Sequence, residues 1–161
     1  MPKTKTPPDI DLRKERSRAL AGSVFFRGLK PEHLSRLLDH ASAIRLEDGQ
    51  RAFRVGGKAA GFYFITQGKM AVELPVCGGA TCAIQFLKPG EVLGWSWLIP
   101  PYRWHLGARA VGPVDALFFD GMSVRKELFR DPAMGFELYR RFAAVMSRRL
   151  EGAFLKLYSD E

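Results

Sequence analysis

Few side chains in this sequence are spaced for chemistry. Nucleophilic catalysis needs a Ser-His-Asp or Cys-His grouping and acid–base catalysis a pair of carboxylates, and neither occurs as a recognisable local motif. His33, His40 and His105 lie apart, with no cysteine or carboxylate at metal-ligand spacing, which speaks against zinc or haem. Two cysteines build no disulfide framework and hold no iron–sulfur cluster. Cys77 and Cys82 flank Gly78-Gly79-Ala80-Thr81, and a four-residue hairpin loop would set them directly opposite, within reach of a cross-strand disulfide. In a reducing cytosol they read instead as two small apolar residues. What remains is the stretch 90–110, where Glu91 and Arg103 accompany Trp95, Trp97, Tyr102 and Trp104. Aromatic side chains with a few polar groups either line a ligand pocket or fill it themselves, and both readings stay open. The expectation is a binding module, not an enzyme.

The elements that must position this stretch follow from periodicity. Residues 9–24 carry spaced apolar positions among charges, with Asp9 and Asp11 at the start, as a helix does. Pro31 opens a second helix that ends near His40. From Ala43 to Asp120 the pattern changes to short apolar runs at 43–46, 51–54, 62–66, 70–74, 83–87, 106–111 and 114–119, broken by glycine and proline turns. Such spacing predicts a β-sandwich or roll. Helix returns over 122–129, and Asp131-Pro132 supplies an N-cap and a first-turn proline for a long helix through Leu157. Its stripe is Leu138, Phe142, Val145 with Met146, Leu150, Phe154 and Leu157.

The totals agree with this reading. The chain has 161 residues, 47% hydrophobic and 26% charged, which fits one globular domain over 9–161 behind a flexible tail at 1–8. A net charge of +8 favours anionic partners such as nucleotides, nucleic acid, acidic proteins or anionic lipid, or else reflects solvated helix faces. No signal peptide and no membrane span are expected, so the reading is cytoplasmic.

Gly28-Leu29, Pro31-Glu32-His33-Leu34, Gly49, 60–65 (Ala-Gly-Phe-Tyr-Phe-Ile), 68–72 (Gly-Lys-Met-Ala-Val), Pro89-Gly90-Glu91 and Ala108-Arg109-Ala110 occur in one order. Together they resemble the cyclic-nucleotide-binding domain of the CRP/FNR regulators over about residues 20–157. The resemblance implies an α+β, mainly β fold: an antiparallel, jelly-roll-like β-roll at 43–120, N-terminal helices at 9–42 and C-terminal helices at 122–157. It also implies a ligand cassette at 90–110, a cyclic nucleotide such as cyclic AMP or cyclic GMP as ligand, and a homodimer through the C-terminal helix. The helix-turn-helix half of such regulators is not expected after Glu161, so no direct DNA binding is anticipated. Arg140, Arg141, Arg148 and Arg149 are read as solvated or ion-paired.

Within the cassette, Gly90, Glu91, Val92 and Leu93 match the family's opening. Glu91 takes the ribose-binding carboxylate position, or completes a turn, or pairs with Arg109, while the following amides would cradle an anion. At the far end the family's Pro-Arg-Ser/Thr/Ala-Ala is replaced, so that Trp104 stands at the phosphate arginine and His105 beside it, with Arg103 displaced by one. On the long helix Ala153 and Phe154 stand where relatives place hydroxyls that reach the purine, and neither side chain can hydrogen-bond. Three readings result: a sensor for a small anionic ligand with altered or lost specificity, a ligand-free dimeric protein-interaction module, and a transcription regulator working through a DNA-binding partner.

Overall fold

A computed structural model of the chain describes residues 8–159, with side chains from Asp11 onward. Four helices and six strands follow in the order α1 (Pro8–Ala21), α2 (Pro31–Leu38), β1 (Ala41–Leu46), β2 (Arg51–Phe53), β3 (Gly61–Pro75), β4 (Thr81–Leu87), β5 (Val92–Leu93), β6 (Gly107–Asp120), α3 (Gly121–Arg130) and α4 (Pro132–Ser159). The expected tail at 1–8 lies outside the described residues except for Pro8, which is the first residue of α1. The chain divides into two compact units at Val124/Arg125.

The first unit is an antiparallel β-roll. Its sheet runs β1-β6-β3-β4, with β2 added to β6 and β5 to β3. Two pairs of runs read separately from the sequence are single long strands. The runs 62–66 and 70–74 join as β3, and 106–111 and 114–119 join as β6. Gly68 and Gly112-Pro113 break the hydrophobic pattern without ending the strand, because the β3–β6 ladder absorbs them as register shifts between Ile65 and Gln67 and between Gln67 and Lys69. The N-terminal helix ends at Ala21, three residues before the expected Val24.

Strand alternation then sorts side chains to two faces. Phe62 and Phe119 stack 4.5 Å apart, and Phe26 meets Phe64 at 5.7 Å and Phe119 at 6.1 Å, so the Phe25-Phe26 knot seals one face. Ile65, Met70, Val72, Leu87, Leu93, Ala108, Ala110 and Val114 form the core inside the roll, with Phe53, Tyr63 and Leu106 packed on it. Gly61 is obligatory at the β3–β6 crossing, since a Cβ there would stand 1.9 Å from the Phe119 carbonyl oxygen.

In the second unit α4 is capped as its sequence anticipates, the Met134 N–H donating to the Asp131 carboxylate at 3.1 Å. Met134, Leu138, Phe142 and Val145 are its buried stripe, while Leu150, Phe154 and Leu157 are exposed. The hairpin between β3 and β4 corrects one expectation. Cys82 lies opposite Leu74, and Cys77 sits in a 3-10 turn at Cys77–Gly79, so the two cysteines are not cross-strand partners. The loop closes instead by Val76 N–H donating to Ala80 C=O at 3.0 Å, which moves the register by enough to separate them.

Candidate functional site

The cassette hangs from the middle of β3. Gly90 N–H donates to Ile65 C=O at 2.8 Å and Ile65 N–H to Glu91 C=O at 3.0 Å, and β5 then pairs Val92 with Phe64 and Leu93 with Tyr63. The four residues expected to open an anion cradle are thus held on β3 as backbone of the roll, with Val92 and Leu93 buried. Glu91 turns back on its own loop, its carboxylate accepting the Lys88 N–H at 2.8 Å. This is the turn-completing arrangement among the readings left open, and Glu91 does not meet Arg109.

After β5 the chain passes Gly94 and enters a 3-10 turn at Ser96–Leu98. Trp97 is fully buried and stacks on Phe62 at 5.1 Å. Trp104 returns from the other end of the cassette, 6% exposed, and lies flat on Phe53 with ring centroids 3.7 Å apart and planes 9° from parallel. Its ring edge covers Gly94 so closely that a Cβ there would be 2.7 Å from both Cη2 and Cζ3, and Gly94 also takes φ 93°, a conformation side-chain-bearing residues avoid. The position that the resemblance assigns to a phosphate arginine is therefore taken by an indole packed against the cassette glycine.

His105 is exposed, its Nδ1 3.0 Å from the Ser96 Oγ, and its ring stacks on the half-buried Trp95 at 5.1 Å. Arg103 points the other way and donates from Nη1 to Gly56 C=O at 3.2 Å. Among the described residues, no hydrogen bond or ion pair joins Glu91 to Arg103. The expected ligand residues differ in exposure: Val92, Leu93 and Trp104 are buried, Gly90 and Glu91 half-buried, and Arg103 and His105 exposed.

The sequence reading did not single out Glu73, Arg51 or Lys58. Glu73 is 3% exposed and accepts from Arg109 Nε at 2.8 Å and from Arg51 Nη1. Burial pushes its carboxyl up, but the hydrogen bonds and charges of Arg109 and Arg51 outweigh this and hold it below the usual glutamate value. The signal in the sequence is a lone glutamate within the apolar run 70–74. Lys58 is the direct antiparallel partner of Arg103 across an isolated bridge. No cluster of three or more potential metal ligands occurs among the described residues, and no helix among them is long and apolar enough to cross a membrane.

Comparison with known proteins places this geometry. The family model described as cyclic nucleotide-binding domain matches residues 43–131. A protein of Thermus thermophilus named cyclic AMP receptor protein is 27% identical over 138 residues, covering 86% of this chain and 62% of that relative's length. Among solved structures, a cyclic nucleotide-binding domain from Methylobacillus flagellatus superposes with a TM-score of 0.78 at 13% identity, covering 94% of this chain and 85% of the other. The sensor domain of the transcriptional regulator DNR from Pseudomonas aeruginosa gives 0.72 at 18% identity, covering 88% and 95%. At those identities the two structures speak for the fold alone.

Proposed function

This chain belongs to the cyclic nucleotide-binding domain family, and we propose that within it the chain is a non-enzymatic regulatory domain whose cassette is closed by its own Trp104 and has lost cyclic AMP specificity. The observation that supports this reading is the indole stacked on Phe53 and pressed onto Gly94, where the resemblance puts the arginine that holds a cyclic phosphate. Burying a tryptophan is worth several kcal/mol at about 25 cal/mol per Å². A nucleotide would have to displace that ring, and Glu91, already bonded to the Lys88 N–H, would have to leave its turn to meet a ribose.

Regulation in this reading passes through assembly. Leu150, Phe154, Leu155, Leu157 and Tyr158 are all at least half exposed on the last turns of α4, which supports a homodimer formed along that helix. The net charge of +8 supports a small anion as effector. The working place of the domain is taken to be the cytoplasm.

Calorimetry of the full chain with cyclic AMP, cyclic GMP and cyclic dinucleotides tests the closed cassette. No heat is expected at millimolar nucleotide, and binding in the micromolar range would overturn the reading. Solution scattering tests the assembly: a dimer is expected, converted to monomer by Leu150→Glu with Phe154→Glu, and a monomeric parent chain would remove the dimer from the proposal.

A further inference from the structure

Lys58 and Arg103 are like charges set face to face. The loop between β2 and β3 is laced to the far end of the cassette by Gly56 N–H to Trp104 C=O at 2.8 Å, Trp104 N–H to Gly57 C=O at 2.9 Å and Ala59 N–H to Tyr102 C=O at 2.8 Å. These bonds frame the antiparallel bridge Lys58↔Arg103. Residues directly opposite in such a pair project from the same side, with Cβ atoms about 5 Å apart, and like charges there repel. Both side chains are exposed, as is Arg54 at the start of the same loop.

Among the described residues, no ion pair relieves this repulsion. Residues 49–72 and 92–114 contain no aspartate or glutamate at all. Arg51 and Arg109, the other arginines on these segments, share Glu73. Among the described residues no carboxylate pairs with Arg54, Lys58 or Arg103, and the Arg103 guanidinium spends one N–H on Gly56 C=O, which draws it over the loop that carries Lys58. A backbone ladder that holds two cations opposite each other, neither paired to a carboxylate, is a ready receptor for one anion.

We propose that Lys58 and Arg103 clamp a single oxyanion, the phosphoryl group of a small molecule, on the outer side of the cassette. The arginine fork supplies directed donors and the lysine a mobile ammonium, which suits a tetrahedral group with several oxygens. One opposed pair is too small a footprint for a nucleic-acid backbone, which is met by a stripe of cations. The clamp goes beyond the reading of a closed cassette and stands apart from the ring that fills it.

Amide NMR of the full chain titrated with inorganic phosphate and pyrophosphate tests the clamp, with sodium chloride at matched ionic strength and succinate as parallel arms. Saturable shifts are expected at Gly57 to Ala59 and Tyr102 to Trp104, with affinity reduced about tenfold in Lys58→Gln and in Arg103→Gln. Lys58→Glu, which turns the repulsive pair into an attractive one, is expected to raise the melting temperature and abolish the phosphate response. Shifts that never saturate, or that chloride reproduces, would overturn the site, as would unaltered affinity in Lys58→Gln. Succinate binding as tightly as phosphate would overturn the phosphoryl assignment. Because no hydrogen bond or ion pair of the Lys58 side chain occurs among the described residues, its variants stay informative even where Arg103→Gln fails to fold. Heat with cyclic AMP that Lys58→Gln leaves unchanged would sink the closed cassette and leave this clamp standing, whereas heat that Lys58→Gln removes would report on the clamp, so the two fail separately.

Discussion

Removing the Trp104 ring and adding a methyl at Gly94 make two perturbations of one packing contact. The indole is 94% buried by its 6% exposure, and a buried tryptophan covers roughly 200 Å², or about 5 kcal/mol at about 25 cal/mol per Å². Stacking on Phe53 adds about 1 kcal/mol, and the compactness of the unfolded chain takes back about a third. Trp104→Ala is therefore expected to cost about 4 kcal/mol, in line with ring truncations in protein cores. Gly94→Ala places a Cβ 2.7 Å from two ring atoms at φ 93°; overpacking costs about 2 kcal/mol and the left-handed backbone about 1 kcal/mol more. With the ring gone only the backbone part remains, so the double variant should lose about 5 kcal/mol where simple addition predicts about 7 kcal/mol. Urea unfolding followed by circular dichroism reads this directly, as a fall in midpoint of about 2 M for Trp104→Ala with a slope of about 2 kcal/mol/M. Trp104→Leu, which keeps part of the volume, takes the place of Trp104→Ala should that variant unfold. Losses that add to the full sum would refute the claim that Trp104 rests on Gly94, and a loss below about 1 kcal/mol for Trp104→Ala would refute the filled cassette.

Three further outcomes follow from other parts of the structure. Glu73 has its carboxyl held low in the folded chain, so its contribution is complete above the unfolded glutamate value of about 4.3 and is lost as pH falls through the lower folded value. Glu73→Gln should cost about 2 kcal/mol at pH 7, moderated because Arg109 is 35% exposed, and the gap to the parent chain should narrow in urea melts at pH 3; a gap that widens contradicts the triad. Asp131→Ala removes the cap on the Met134 N–H and is expected to lower stability by about 1 kcal/mol, with a change within error by thermal melt counting against it. Gly61→Ala forces a Cβ onto the Phe119 carbonyl and should abolish the near-ultraviolet signal of the packed rings, at a cost above about 3 kcal/mol; a well-folded variant would show that the β3–β6 crossing is looser than described.

Periodicity alone determined the order of helix, roll and helix, because strand and helix repeats are local and each leaves its own spacing of apolar residues. The start of α4 at Asp131-Pro132 was legible for the same reason: capping chemistry acts within a few residues. Strand continuity was not, since Gly68 and Gly112-Pro113 look like chain breaks until a neighbouring strand absorbs them. Nor was the hairpin that carries Cys77 and Cys82, where the register set by Leu74↔Cys82 decides which side chains meet. The cassette shows the limit most sharply. The resemblance puts an arginine where Trp104 stands, but only the tertiary structure decided that this ring lies on Phe53 and Gly94, that Glu73 gathers Arg51 and Arg109, and that Lys58 faces Arg103. These pairings join residues 10 to 51 positions apart by plain counting along the chain. Many weak contacts acting together select them, and no single stretch of sequence holds that information.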